Sequence, residues 1–290
     1  MSATETSVLR FGHSPDPDDA FMFYGFSTGA VEVEVPTAGG PMRRYKVEHL
    51  LEDIQSLNER AMTGELEITA ISAHAYPYVA EKYLVMRTGV SMGDGYGPLV
   101  VTRGEKKLSD LRGGRIAIPG LMTTASLTLK FYLDSFKPVV TPFDRILDVV
   151  RDGQVDAGVV IHEGQLTFGR EGLFKVADLG VLWKEETGLP LPLGLDVVRR
   201  DLGADLGVAC SRALRASIEY AEAHREDAMR YALEYGRGLD LSLGDRFVGM
   251  YVNEWTRDMG EKGRLALTTL LDRAADQGWV PRLREDLILV

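Results

Sequence analysis

The sequence predicts an α/β protein of two lobes with a ligand cleft between them. Short apolar runs that fit buried strands alternate with segments whose apolar residues recur at helical spacing. Small hydroxyl side chains stand at strand-to-helix turns in two separate stretches of the chain. These are Ser14 and Ser72 in the first stretch, and Thr123 and Thr124 in the second. Two extended segments, near 98–102 and 190–199, can carry the chain between the lobes, which is the layout of a two-lobed binding protein.

Length and charge limit the domain count and the partners. A chain of 290 residues fits one large or two ordinary domains. We expect a larger, discontinuous lobe of residues 1–99 and 195–290, and a smaller lobe of residues 100–194. The formal net charge is −10, which argues against a nucleic-acid partner because phosphate backbones favour a basic face.

Cysteine content and the amino terminus indicate the compartment. Cys210 is the only cysteine, so the chain can form neither an intrachain disulfide nor a thiolate metal cluster. Residues 1–10 show no basic segment followed by an apolar one, so no signal peptide is visible. No run approaches the roughly 18 apolar residues that a membrane-spanning helix requires. We therefore expect a cytoplasmic protein without a membrane partner.

The first hundred residues are predicted to contain most of the first lobe. We expect strands over 8–11, 31–35, 43–48, 66–71, 83–87 and 99–102, and helices over 18–29 and 50–62. Pro15 and Pro17 block an earlier start of the first helix, so Asp18 or Asp19 is expected to cap it.

Two loops in this part of the chain resemble known ligand loops only in part. The segment with Asp16, Asp18 and Asp19 lacks the glycine and terminal glutamate of a calcium loop, so we reject a calcium site there. The glycine-rich stretch 89–97 lacks a P-loop's Gly-Lys-Ser/Thr, which indicates a surface loop or pocket rim.

The remainder of the chain is predicted to begin with a parallel-sheet unit and to end in helices. Residues 100–180 follow a β-α-β-α-β-α order, which is typical of parallel strands with crossover helices. Helices are expected near 203–222, 225–236, 242–257 and 261–278, with a possible strand at 287–290.

His162 is the strongest candidate for a catalytic group. It follows the short apolar run 159–161, and in open α/β sheets the carboxyl end of a strand opens onto the ligand crevice. An imidazole at that place can act as a base near neutral pH. The same position also suits a structural histidine that ends a strand and hydrogen-bonds a nearby loop.

The hydroxyl residues at the turns have two interpretations. Ser72, Thr123 and Thr124 can cap the helices that follow them. Alternatively, their hydroxyls and the helix N–H groups can bind a carboxylate. The local sequence alone leaves both roles open.

Several short motifs together resemble one enzyme family. They occur in residues 14–21 (Ser-Pro-Asp-Pro-Asp-Asp-Ala-Phe), 71–72, 119–125, 143–147, 161–163 (Ile-His-Glu) and 187–194. Their order and spacing over nearly the whole chain resemble the 1,4-dihydroxy-6-naphthoate synthases of the futalosine route to menaquinone. The resemblance implies a fold like type II periplasmic binding proteins. It also implies conversion of cyclic dehypoxanthinyl futalosine to 1,4-dihydroxy-6-naphthoate, with no metal or organic cofactor.

The same resemblance assigns roles to individual residues. It makes His162 the general base, places Ala70, Ile71 and Ser72 on one substrate-binding stretch, and places Thr123 and Thr124 on another. We also expect Ser14, from the opening motif, to contact the substrate. Three positions depart from the family pattern. The first motif reads Ser-Pro-Asp-Pro-Asp-Asp, with Asp16 and Asp18, where relatives can have Ser-Pro-Cys-Pro-Asn-Asp. Ala70 stands where some relatives carry a lysine.

Two further functions fit the same sequence features. A sister family that dehydrates chorismate shares the fold and the opening Ser-Pro stretch, although the Ile-His-Glu motif favours the naphthoate synthase. A solute-binding protein, or a ligand-sensing domain, would share the cleft without any chemistry. In each case the expected partner is a small-molecule carboxylate, and the chain can be a monomer or a homodimer.

Overall fold

The computed structural model describes residues 7–283 except 38, 237 and 238, and its strands form two separate sheets. In chain order the strands are β1 (Ser7–His13), β2 (Val33–Val35), β3 (Arg43–Leu51), β4 (Ile68–Ser72), β5 (Tyr83–Val85), β6 (Ser91–Gly93), β7 (Leu99–Thr102), β8 (Arg115–Ile118), β9 (Lys137–Val140), β10 (Ala157–Val160), β11 (Phe174–Asp178) and β12 (Leu191–Arg199).

Helices cover both sheets. They are α1 (Pro17–Met22), α2 (Tyr24–Ser27), α3 (Ile54–Thr63), α4 (Tyr76–Val79), α5 (Thr124–Tyr132), α6 (Ile146–Arg151), α7 (Gly164–Thr167), α8 (Leu179–Thr187), α9 (Ala204–Ala223), α10 (Arg225–Leu233), α11 (Leu241–Tyr251), α12 (Glu254–Arg257) and α13 (Gly260–Asp276). The expected tail strand at 287–290 lies outside the described residues.

The first sheet places β1 and β4 side by side at its centre. Its order is β2-β3-β1-β4-β12-β5, with β6 also paired to β12. β1 runs parallel to β3 and to β4, whereas β12 runs antiparallel to β4, β5 and β6. The carboxyl ends of β1 and β4 therefore open at the same edge, which brings the turns that follow them together.

The second sheet is mixed, although the sequence predicted a parallel unit. Its order is β11-β7-β10-β8-β9. β8 is parallel to β9 and β10, but β7 is antiparallel to both β10 and β11. β10 lies between β7 and β8, and the short connection of residues 103–114 reverses the direction of the chain with one 3₁₀ turn and no crossover helix. The prediction missed this because strand direction depends on the connection more than on the strand's own residues.

The chain crosses twice between the sheets, as a two-lobed fold requires. It leaves the first sheet after β6, builds the second sheet from β7 to β11, and returns as β12. The extended segments near 98–102 and 190–199 are the strands that follow these crossings. The predicted α/β fold class, with two lobes, is confirmed.

Three predicted helix boundaries were wrong, each because of a capping residue. The helix expected from residue 50 begins at Ile54, since β3 extends to Leu51 and the Asp53 carboxylate accepts from the N–H groups of Gln55 and Ser56. Asn253 interrupts the helix expected over 242–257 by capping a new turn. Asp16, and not Asp18 or Asp19, caps α1.

Two helices tie the lobes together through shared hydrophobic cores. On α8, Leu179 packs in the core of the second sheet, whereas Trp183 packs in the core of the first. On α5, Leu129 belongs to the second core and Leu127 to the first. The cleft between the sheets is therefore closed on one side by continuous packing. In the described part of the chain, no helix has the length and apolar character to cross a membrane.

Trp183 offers a test of this connection. Its side chain is fully buried, and its indole N–H donates to the Pro190 carbonyl at 3.0 Å. Replacing Trp183 with Ala should lower the free energy of unfolding by about 3–5 kcal/mol, because a large cavity would remain. Leu265→Ala on exposed α13 surface should change it by less than about 1 kcal/mol. Urea unfolding of both variants measures the difference, and equal losses would contradict the bridging role.

Candidate active site

A cleft lies between the two sheets and encloses about 750 Å³ of space outside the protein atoms, part of which is open to solvent. Its walls come from the turns after β1, β4 and β10, from β12, and from the start of α5. The lining residues are Ser14, Asp16, Asp18, Asp19, Ile54, Ala70, Ser72, Gly89, Ser91, Pro98, Thr123, Thr124, Ala125, Ile161, His162, Gln165, Leu193, Gly194, Leu195, Asp196 and Tyr251. Among the predicted site residues, only Ile71 is missing from these walls.

His162 enters the cleft from a strained turn. It follows Ile161 after the end of β10 and has φ = 55°. It is the only residue other than glycine in the described part of the chain with a positive φ. That conformation is uncommon for residues with a side chain and is often retained at functional sites. The edge of the His162 ring also meets Phe143, with ring centroids 4.7 Å apart. The turn and this contact hold the imidazole in one orientation.

The Asp16 carboxylate holds His162 from the opposite wall. Asp16 Oδ2 lies 2.9 Å from His162 Nδ1, and the two side chains are only 3% and 17% exposed. Oδ2 also accepts from Ser14 Oγ at 2.6 Å, while Oδ1 accepts from the Asp19 N–H at 3.3 Å. Burial acts to raise the pKa of Asp16, but the charge of His162 and its hydrogen bond outweigh burial and hold that pKa well below its usual range.

This pairing determines which imidazole nitrogen can act as a base. A carboxylate beside Nδ1 keeps the proton on that nitrogen, so the lone pair of the neutral ring is on Nε2. The carboxylate also stabilises the imidazolium that forms when Nε2 takes up a proton. The arrangement is therefore chemically competent for proton abstraction. It replaces the interpretation of His162 as a histidine bonded only to a nearby loop.

The stretch 70–72 divides between the cleft and the core because strand residues alternate in direction. Ala70 and Ser72 line the cleft, whereas the Ile71 side chain is fully buried in the core of the first sheet. Ser72 does not cap the short turn after it with its side chain. Instead Asn58 binds it twice, donating to Ser72 Oγ at 3.1 Å and accepting from the Ser72 N–H at 2.8 Å.

The two threonines at the start of α5 play different parts. Thr123 is the helix cap, and its Oγ1 accepts from the Ser126 N–H at 3.3 Å and donates to the Gly120 carbonyl at 2.8 Å. Thr124 Oγ1 donates to the Leu193 carbonyl at 2.7 Å and accepts from the His74 N–H at 3.2 Å. Thr124 thereby fastens α5 to the first sheet. Both residues line the cleft, where the first N–H groups of α5 can meet an anion.

The cleft contains no lysine or arginine among its described lining residues, but it contains four carboxyl groups. Asp18, Asp19 and Asp196 join Asp16. Burial raises the pKa of each of these three well above its usual range, and nearby carboxylates raise the pKa values of Asp18 and Asp19 further. Asp18 Oδ1 and Asp196 Oδ2 are buried and have no hydrogen-bond partner. Burial therefore favours the protonated form of these three carboxyl groups, whereas the contact with His162 favours the ionised form of Asp16.

The carboxylates of Asp16, Asp18 and Asp19 approach closely enough to suggest a metal site, with one oxygen of each lying within 4.8 Å of the others. Their other bonds do not favour a metal. Asp16 Oδ2 is already bonded to His162 and Ser14, and Asp19 Oδ2 accepts from the Ser14 N–H at 2.7 Å. A cation there would displace the contact that orients the imidazole, so shared protons explain this cluster better.

Sequence reasoning did not assign several residues of the cleft to the site. Asp196 is a charged residue inside the apolar run of β12, a signal that could have identified it. Tyr251 and Gln165 gave no comparable signal, because only the fold brings them together, with Tyr251 Oη donating to Gln165 Oε1 at 2.9 Å. Asp16 stood in the opening motif, but its partner 146 residues away could not be inferred from local spacing.

Comparisons with known proteins give consistent results. A family model described as "Menaquinone biosynthesis" matches residues 9–276. The 1,4-dihydroxy-6-naphthoate synthase of Thermus thermophilus is 43% identical over 271 residues, which cover 93% of this chain and 95% of that protein.

Two solved structures show the same architecture. A crystal structure of a protein from Archaeoglobus fulgidus has 45% identity and a TM-score of 0.87, covering 94% of this chain and 98% of that one. The alkanesulfonate-binding protein of Xanthomonas axonopodis pv. citri has 14% identity and a TM-score of 0.71, with 99% of both chains covered. The second likeness identifies the fold as that of periplasmic binding proteins.

The protonated carboxyls predict an unusual dependence of stability on pH. A carboxyl whose pKa is raised by folding stabilises the protein fully below its unfolded pKa of about 4. That stability is lost as pH rises towards the folded pKa, by up to about 1.4 kcal/mol per pH unit for one group. Asp196→Asn, which is neutral at every pH, should therefore be more stable than the parent at pH 8.

Urea unfolding at pH 4, 6 and 8 measures this effect. At pH 4 the two proteins should differ little, because both side chains are then neutral in the folded state, and the gap should widen with pH. A difference that stays constant from pH 4 to pH 8 would contradict a proton on Asp196.

Proposed function

This chain belongs to the menaquinone biosynthesis family, and we propose that it converts cyclic dehypoxanthinyl futalosine to 1,4-dihydroxy-6-naphthoate. Its Thermus thermophilus relative is a 1,4-dihydroxy-6-naphthoate synthase, which supports this product. The observation that carries the proposal is the buried pair of Asp16 and His162, which equips a binding-protein cleft with a general base. A cleft that only binds a solute has no need of such a pair.

His162 is the base of the proposed reaction. Its Nε2 removes an acidic proton next to a carbonyl-like centre of the substrate, and Asp16 stabilises the resulting imidazolium. The 17% exposure of the His162 side chain leaves it within reach of the cleft while excluding most water. Closure of the cleft around the substrate would orient the reacting carbon against Nε2.

The amino terminus of α5 is the proposed anchor for the substrate carboxylate. The hydroxyl-bearing turn at Thr123 and Thr124 lies on the cleft wall, and helix N–H groups attract anions. An anion needs this position because the lining residues on the other side of the cleft are carboxyls. Ser72, held by Asn58, and Ala70 also line the cleft, and the turn after Ser72 is joined to Thr124 through the His74 N–H.

Removal of the imidazole is the primary test of this function. The variant His162→Asn suits the test because asparagine tolerates a positive φ better than most residues, so the turn should survive. The rate at which cyclic dehypoxanthinyl futalosine is converted, measured by chromatography and mass spectrometry, should fall by about 10²–10⁴-fold. Calorimetry should show substrate affinity within a few-fold of the parent.

Other results of these measurements would contradict the base or favour a different function. Full turnover by His162→Asn would overturn the base. Tight binding of the intact compound by the parent protein, without product, would indicate a solute-binding protein. Turnover of chorismate in place of the futalosine derivative would assign the chain to the chorismate-dehydrating sister family.

The role of Asp16 gives a second prediction. In Asp16→Asn the amide can still cap α1, because asparagine is as good a cap as aspartate, but the charge beside His162 is lost. We expect kcat to fall by about 10²–10⁴-fold, since the imidazolium is no longer stabilised and the tautomer is no longer held. Thermal unfolding should move by only a few degrees. Unchanged kcat would show that the pair does not assist the base.

A further inference from the structure

Asp19 is the most accessible of the four carboxyls in the cleft. Asp16, Asp18 and Asp196 are 2%, 8% and 2% exposed, whereas Asp19 is only partly buried. Its Oδ2 accepts from the Ser14 N–H at 2.7 Å, which fixes the carboxyl plane. Its side chain lies on the same wall as Asp16, one oxygen of each being within 4.8 Å of the other. Asp19 therefore flanks Asp16, and His162 contacts Asp16 from the opposite wall.

The surroundings of Asp19 oppose a negative charge. Asp16 and Asp18 from its own segment and Asp196 from β12 act on Asp19 directly. The other titratable groups of this cluster act on Asp16 or Asp18: His162 after β10, Tyr251 from α11 and His13 from β1. His162 Nδ1 is bonded to Asp16, and no cationic group is recorded beside Asp19 among the described residues. Asp196 also indicates that the cleft opposes negative charge, since its buried Oδ2 has no hydrogen-bond partner.

The pKa values of the carboxyl groups in the cleft thus move in opposite directions. Burial raises the pKa of Asp19, the charges of Asp16 and Asp196 raise it further, and the single bond from Ser14 only partly opposes them. The pKa of Asp16 is lowered in the same cleft. Pairs of neighbouring groups whose pKa values move apart are typical of acid and base assignments. Here the base belongs to the Asp16–His162 pair, which leaves the acid to be identified.

We infer that Asp19 is the proton donor that works opposite His162. This inference rests on the proposed function. When His162 Nε2 takes a proton from the substrate carbon, the C–H electron pair forms a C=C bond and the carbonyl π pair moves to oxygen. The Asp19 O–H bond breaks, and its proton forms the new O–H bond of the enol. The proton from carbon is then on His162, the negative charge is on Asp19, and exchange with solvent restores both groups.

Asp18 and Asp196 are not the donor. Both residues line the cleft, but they are only 8% and 2% exposed, and Asp18 Oδ1 and Asp196 Oδ2 have almost no accessible surface. Asp18 also bonds Asp16 through its side chain, so its proton is directed away from a ligand. We assign both residues the role of keeping Asp19 neutral.

The variant Asp19→Asn separates proton donation from mere hydrogen bonding. An asparagine oxygen can still accept from the Ser14 N–H, and its amide can still donate to the substrate, but it has no proton to transfer. We expect kcat to fall by about 10²–10³-fold with KM within about threefold of the parent. The alkaline limb of the pH profile of kcat should disappear. Asp227→Asn, on exposed α10, is the matched control and should leave both parameters unchanged.

A second measurement does not depend on turnover. The infrared spectrum of the parent protein at pH 8 should contain the carbonyl band of a buried carboxylic acid, and Asp19→Asn should remove part of it. Asp196 opposes ionisation of Asp19 only in the alkaline range where Asp196 itself ionises, so in Asp196→Asn the alkaline limb of kcat should move to lower pH.

The outcomes distinguish failure of the proposed function from failure of the proton-donor role of Asp19. If the parent protein does not convert the futalosine derivative, the proposed function fails, and the infrared band still reports whether Asp19 holds a proton. If the parent converts it and Asp19→Asn keeps both its kcat and its alkaline limb, Asp19 is not the donor while His162 remains the base. Loss of part of the carboxylic-acid band in Asp19→Asn, together with a 10²-fold fall in kcat, supports the inference.

Discussion

The contact between the Asp16 carboxylate and the His162 imidazole is the interaction on which the site depends, because it spans the two halves of the molecule. Asp16 belongs to the turn after β1 in the first sheet, and His162 to the turn after β10 in the second. Each residue also has a local structural part, Asp16 as the cap of α1 and His162 as the strained residue of its turn. The arrangement of the sheets and the protonation of His162 are therefore linked through one contact of 2.9 Å.

The fold by itself does not account for catalysis. Structures with the same architecture include a protein named for binding alkanesulfonates, at only 14% identity. A cleft between two sheets, closed on one side by shared helices, suits any small ligand that can be enclosed. An enzyme of menaquinone biosynthesis differs from such a protein in the few side chains that face the cleft. Here those side chains are one imidazole and four carboxyls.

The electrostatics of the cleft follow from an imbalance of charge. Four carboxyls face one imidazole, with no lysine or arginine among the described lining residues. One carboxylate can be stabilised by that imidazole, and it is Asp16. Burial makes ionisation of the remaining three unfavourable, which favours their neutral forms over repulsive charges. A carboxylate ligand can enter such a cleft only where helix N–H groups and hydroxyls line it, at the start of α5.

The sequence by itself determined the fold class, the approximate position of most elements, and the candidacy of His162. These features depend on short-range patterns: apolar periodicity, glycine and proline at turns, and a histidine where an apolar strand ends. The motif resemblance also placed Ala70, Ser72, Thr123 and Thr124 at the site, and all four line the cleft.

Only the tertiary structure decided the rest, because it depends on contacts between distant residues. Strand direction in the second sheet is set by the connection between β7 and β8, not by the residues of β7. The partner of His162 is 146 positions away, and Asp196 meets Asp19 only because β12 re-enters the first sheet beside β4. A carboxyl's charge state depends on burial and on its neighbours, and neither quantity exists until the chain has folded.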